Sequence, residues 1–234
     1  MKIQSIILFY FLLNNTTLSA QTSPSISPVI QGSEMVREIS SLEKNKVLGD
    51  VYLDANWLPI SVILYEGDKF LDGYLGRYDI EKNEFEFRKQ NDAKLLAGER
   101  VKSITWIDDT QGVARKLINA KGFSLNGIPI LGFFEILLEG TTPLFKKTYI
   151  EIIKPSYILA LGVGNQETLI QKTAKYYFAL NNNELYLLKN KKSLAPLESP
   201  ASPRVSLYAK KESIRFNKEE DLKRLFFYIN NCRP

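Results

Sequence analysis

The side chains able to do chemistry are few in kind. The chain has no histidine, and its one cysteine is Cys232, near the end. Ser-His-Asp and Cys-His nucleophile activation are therefore excluded. So are HExxH-type zinc sites and nearly every other histidine-ligated centre. Thiolate metal clusters fall with them, and no cofactor is expected. One cysteine forms no internal disulfide, and near a free end it reads as an idle thiol. What remains for catalysis is carboxylate, tyrosine, lysine or serine–lysine chemistry.

The 26 Asp and Glu residues contain no recognisable acid/base pair of the kind that faces a glycosidic bond across a cleft. Asp108 and Asp109 with Glu99 are possible calcium ligands, but no D-x-D-x-D-G loop surrounds them, and calcium needs six or more oxygens. They read as a solvated turn. Ser124 and Ser156 lack an S-x-x-K partner, and Gly162-Val-Gly164 lacks the third glycine of a dinucleotide loop and reads as a turn. The remaining candidate is aromatic. Trp57, Trp106, Tyr74 and Tyr78, with Tyr52 and Tyr65 nearby, could form a platform on which sugar rings stack. Against it, aromatic residues are common in strands and fill sheet cores.

These residues sit in strand-like sequence. Ile60–Tyr65, Phe70–Tyr78, Phe85–Arg88, Lys94–Ala97 and Val101–Ile107 are period-2 or β-branched runs, separated by turns such as Glu66-Gly-Asp-Lys69. Phe85 and Phe87 alternate with Glu84, Glu86 and Arg88, which implies one buried and one wet face. Gly132–Leu138 and Leu144–Ile153 flank a Gly/Pro turn, and Lys175–Leu180 and Glu184–Leu188 flank Asn181-Asn-Asn183. Pro155–Lys172 fits neither period.

The end of the chain turns helical. Ser202-Pro203 suggests a helix over 203–213. Asn217-Lys-Glu-Glu220 reads as a capping box opening a second over 218–230. In it Leu222, Leu225, Phe226 and Ile229 make one apolar stripe that needs a surface to cover it. The expected fold is α+β and mostly β: an antiparallel meander, roll or sandwich with C-terminal helices packed on it.

Residues 1–20 have the parts of a cleavable signal peptide: Lys2, the apolar run Ile6–Leu13, and Ser19-Ala20 before the expected cut. The run is far shorter than the ~20 residues of a membrane-spanning helix. Residues 21–33, rich in Ser and Pro, read as a flexible leader, and 34–234 as one β-rich domain. Met35, Val36, Ile39 and Leu42 suggest a short helix at its start. Export to the periplasm, cell surface or medium follows. With no cysteine beside the cut, a lipoprotein does not.

Several segments resemble a group of uncharacterised exported proteins of Bacteroidota. They are Leu75-Gly-Arg-Tyr-Asp-Ile-Glu-Lys-Asn-Glu-Phe-Glu-Phe-Arg88, the Glu139-Gly140…Leu144-Phe-Lys-Lys147 hairpin, Lys175-Tyr-Tyr-Phe178 and Phe216-Asn-Lys-Glu-Glu-Asp-Leu222. The pieces occur in order over most of residues 49–230. The resemblance implies location and architecture, and no activity.

Charge is uneven. Residues 21–140 hold 14 Lys/Arg against 18 Asp/Glu, and residues 141–234 hold 16 against 8. A basic half suits a cell-envelope protein, a glycan or an anionic surface. The lysines are scattered without a nucleic-acid motif, so nucleic acid is not an expected partner. The reading is a non-catalytic exported binding or structural domain of the envelope. The alternatives are a carrier of an apolar ligand and a carboxylate-based carbohydrate hydrolase.

Overall fold

Alternating burial marks the first strands of the large sheet. In β2 (Leu58–Leu64) the side chains of Ile60, Val62 and Leu64 are buried and those between are less so. In β4 (Glu84–Lys89) Phe85 and Phe87 are buried while Arg88 and Lys89 are exposed. This is the two-faced pattern of a sheet with a core on one side. The computed structural model describes residues 46–90, 92–108, 113–180, 183–198 and 204–231. The signal peptide, the leader, the helix expected near 34–42, Asp109, Ser202-Pro203 and Cys232 lie outside them.

The other strands are β1 (Val47–Leu48), β3 (Phe70–Asp79), β5 (Asp92–Ala97), β6 (Val101–Asp108), β7 (Val113–Asn119), β8 (Ser124–Leu125), β9 (Ile128–Pro129), β10 (Phe133–Leu138), β11 (Leu144–Ile153), β12 (Thr168–Ala179) and β13 (Leu185–Leu188). Eleven form one open sheet in the order β5-β4-β3-β2-β6-β7-β10-β11-β12, with β1 and β13 both on β12. Among the described strands of this sheet, β1 and β12 are the pair that runs parallel. The small β8–β9 pair stands apart. The elements belong to one compact unit, Asn45–Pro234.

The order is two meanders joined at β2 and β6. Bulges interrupt the β2–β3 and β2–β6 ladders, and bulges bend and twist a sheet. The first meander curls until β4 meets β10, where Phe133 packs against Tyr78 and Phe85. Inside the curl lie Ile60, Val62, Ile104, Trp106 and Leu117. The sequence expectation of a roll describes this; two stacked sheets do not.

Helices cover the second meander. A 3-10 helix (Lys191–Leu197), α1 (Arg204–Lys211) and α2 (Glu219–Asn231) pack with Leu144 and Phe178 in one core. Leu222, Leu225, Phe226 and Ile229 are all buried, as the stripe requires. The expected Asn217 cap is not formed: α2 begins at Glu219, and the Asn217 side chain makes no hydrogen bond among the described residues. Asp221, in the first turn, ties the preceding loop to the helix instead. Its carboxylate accepts from the Arg215 backbone N–H at 3.1 Å, from Arg215 Nε at 2.7 Å and from Arg224 Nη2 at 2.6 Å. At the other end Asn230 brackets the β10–β11 turn, accepting from Thr142 N and donating to Thr142 O.

Candidate functional site

The aromatic residues expected to make a platform are divided between core and surface. Trp106 is 1 % exposed and points its indole N–H at the Gly76 carbonyl. Tyr78 is buried too, and donates to Asn83 Oδ1. The cause is register: Trp106 pairs with Arg115 and Ile60 across ladders whose inner face is the core of the curl. Neither ring can stack on a sugar in solution, which corrects the expectation for those two. Trp57 and Tyr74 are half-buried. Trp57 carries the guanidinium carbons of Arg77 and Arg88 at 4.6 and 4.5 Å from its ring centre. Arg77 also lies 3.8 Å over Tyr52 and is locked by Glu86, which accepts from Arg77 Nε at 2.7 Å and from the Tyr52 hydroxyl at 2.8 Å. The surface aromatics are thus part of a cation–π stack. Tyr74 sits edge-on to Phe87, and Tyr65 lies under Lys121.

The other residues singled out have structural partners. The Ser124 hydroxyl donates to Glu184, and Ser156 Oγ accepts from Asn165 N. Glu99 accepts from Asn83 Nδ2 at 3.0 Å. Among the described residues no three Asp, Glu or Cys side chains gather closely enough to hold a metal ion. Gly162 and Gly164 close a turn, as expected. Gly164 has φ +108, and a Cβ there would strike the Ser156 backbone.

Two other features stand out on β11. The first is Lys147. It shares the face of Phe145 and Tyr149, is paired with Lys175 across the ladder, and is 9 % exposed. Its ammonium donates to the Leu131 carbonyl at 2.5 Å and lies 5.6 and 5.4 Å from the ring centres of Phe134 and Tyr149. Burial lowers its pKa to about 8. It lines a groove of about 600 Å³ between the β3–β4 turn, the start of β10 and the outer half of β11. Tyr78 and Asn83 face it from β3 and the turn, and Phe133, Ile150 and Ile152 supply apolar wall. Burial pushes the Tyr78 phenol well above its ordinary range, so it stays an O–H.

The second feature is the ribbon that β11 and β12 form beyond β10. The β10 ladder stops at Lys146, while β11 and β12 stay paired to Ile153 and Leu169. The connection is ordered by Ser156 N to Asn165 O and Ile158 N to Val163 O, both 2.8 Å. Ile152, Ile153, Ile158, Leu161 and Val163 stand 39–68 % exposed on it. Residues 152–166 contain one charge, Lys154. Of the flanking carboxylates, Glu167 pairs with Lys46 and Asp50 with Lys172, while Glu151 is exposed.

No protein-family model, curated protein or solved structure matches the chain. Among the described residues no helix is long and apolar enough to cross a membrane.

Both features were open to a closer reading of β11. Counting by twos from Phe145 puts Lys147 between Phe145 and Tyr149 on one face. The run Ile152-Ile-Lys-Pro-Ser-Tyr-Ile-Leu-Ala-Leu-Gly-Val163 is apolar without a strand or helix period, which marks an exposed apolar loop once no partner element is found for it.

Proposed function

We propose that the protein is exported and serves as a non-catalytic binding domain of the cell envelope, docking on a lipid surface through the tip of the β11–β12 ribbon. The observation that carries this reading is the exposure of five aliphatic side chains on an ordered ribbon that carries one charge, a lysine. A soluble monomer seldom spends so much apolar surface on solvent. The ribbon is held by backbone hydrogen bonds, so little order remains to be gained on binding. The lone Lys154 and the half-buried Tyr157 suit the headgroup layer, where cations and amphipathic rings sit. Burying Ile158, Leu161 and Val163 together would contribute on the order of 5 kcal/mol, which is reversible attachment rather than anchoring. The signal-like residues 1–20, and the resemblance to exported proteins of Bacteroidota, support the location.

The test is flotation of the processed chain, recovered after export, with vesicles of phosphatidylethanolamine and phosphatidylglycerol. The chain should rise with the vesicles. Leu161→Asp and Val163→Asp should each abolish flotation without moving the thermal midpoint, because both residues are exposed. A chain that stays at the bottom of the gradient overturns the reading. A chain that self-associates through the same residues, seen by light scattering, overturns it in favour of a second copy as the occupant.

A further inference from the structure

Lys147 is an ammonium in the wrong company. Among the described residues no carboxylate comes within 4.0 Å of it. Its partners are one backbone carbonyl and two aromatic faces. Buried cations are normally paired with anions, because desolvation is costly. Here the neighbouring backbone is shaped around the amine. Gly132 has φ +85, and a Cβ added to it would stand 2.9 Å from Lys147 Nζ and 3.2 Å from the Tyr78 hydroxyl oxygen. The two polar atoms converge on that glycine at the wall of the groove. Its other walls include Asn83, Phe133, Ile150 and Ile152.

We infer that Lys147 is the covalent docking point for an aldehyde or ketone ligand with a short apolar tail, held in this groove as a Schiff base. The neutral amine attacks the carbonyl carbon and a C–N bond forms. The carbonyl oxygen takes up a proton to give a carbinolamine. That proton is one of the nitrogen's two, and loss of the new hydroxyl with the one remaining N–H proton as water leaves C=N, so amine plus carbonyl gives imine plus one water. No oxidant or reductant is required. The chain supplies what this step needs. Burial lowers the amine to about 8, so a substantial neutral fraction is present near neutral pH. Tyr78 stays protonated, and its O–H, which donates to Asn83 Oδ1, can turn from that acceptor to the carbonyl oxygen. Phe133, Ile150 and Ile152 offer the tail an apolar bed. The groove borders the ribbon at Ile152 but shares none of Ile158, Leu161 and Val163, and its test involves no vesicles.

The experiment exposes the purified protein to butyraldehyde with cyanoborohydride at pH 7.5 and maps every modified lysine by peptide mass spectrometry. At that pH a lysine titrating near 8 has on the order of a hundredfold more free amine than one near 10.4. Allowing for hindered access and lower intrinsic nucleophilicity, Lys147 should react roughly tenfold faster than exposed Lys154 or Lys189. Ile152→Trp, which fills the groove from a half-exposed position, should slow Lys147 alone. Reaction at Lys147 no faster than at the exposed lysines overturns the inference. So does fast reaction that Ile152→Trp leaves unchanged, because the aldehyde would then arrive by another route.

Discussion

The ring of Phe133 meets the ring of Phe85 edge-on, with 5.0 Å between centroids and 88° between planes. In the sheet β3, β2, β6 and β7 lie between their strands. In a flat sheet those strands would be about 24 Å apart at ~4.8 Å per step. The contact is therefore the closing point of the curl, and it brings the β3–β4 turn against the start of β10 to form one side of the Lys147 groove.

Because both rings are nearly or wholly buried, Phe133→Ala and Phe85→Ala should each cost about 3–5 kcal/mol in urea unfolding. The double variant should show a coupling of about 1 kcal/mol, the size expected for an edge-to-face pair. Strict additivity would mean that the two strands hold their positions without each other.

The docking of α2 makes a second prediction. Phe226 is wholly buried, with its centroid 5.6 Å from that of Phe178. Phe226→Ala should lower stability by about 3–5 kcal/mol. Asn230→Ala, which strips the bonds to Thr142, should cost about 1–3 kcal/mol. Asn217→Ala, at a side chain that makes no hydrogen bond among the described residues, should stay within about 0.5 kcal/mol. Thermal melts of the three variants check the order.

The helix shows what the sequence could and could not say. The 3.6 spacing of Leu222, Leu225, Phe226 and Ile229 reports a buried stripe, since burial acts on every turn alike. The cap is a single local contact: Asn217 has the right type for it but makes none, while Asp221 binds both arginines and the Arg215 backbone N–H, tying the preceding loop to the helix by charge-assisted bonds. Strand β7 was not legible because Arg115 and Lys116 interrupt its alternation. They are tolerated there because Glu135 on β10 binds Arg115 through Nε and Nη2 at 2.8 and 3.0 Å, a partner twenty residues away. The outer half of β12 read as ambiguous for a similar reason: it is mostly polar and exposed, and its order comes from pairing with β11. Trp106 and Tyr78 were misplaced as surface residues because composition alone does not tell the inside of a curl from its outside.

Acid should remove the stability that Asp221 contributes. Its hydrogen bonds from Arg215 and Arg224 hold the carboxyl well below the usual range. A depressed folded pKa contributes stability that is present above the unfolded value of about 3.9 and is lost as pH falls below it. Glu219 is held low as well, burial opposing and the Lys223 and Lys146 ammoniums prevailing. Asp221→Asn should therefore melt lower than the parent at pH 7, and the gap should shrink as pH drops from 4 towards 2. A gap constant over that range would show that the carboxylate's charge contributes nothing.

Base should act on Lys147 with the opposite sign. Its folded pKa is about 8, because burial disfavours the charged form, and its unfolded value is about 10.4. Below 8 the amine is charged in both states and the folded state bears the desolvation cost. Between 8 and 10.4 the unfolded chain binds more protons, so this group's contribution rises with pH. The difference corresponds to about 3 kcal/mol at 1.36 kcal/mol per unit. Lys147→Met keeps the length of the side chain and removes the charge. It should raise the melting temperature at pH 7, and the advantage should narrow as pH climbs from 8 to 10.5. Burial pushes the phenols of Tyr78, Tyr149 and Tyr177 above their ordinary value, and Lys175, paired with Lys147 across the ladder, is present in both proteins. A Lys147→Met variant that is less stable at every pH would mean that the ammonium's bond to the Leu131 carbonyl outweighs its desolvation. The groove would then be held open by that bond, and the lysine's burial would be a structural requirement of the curl.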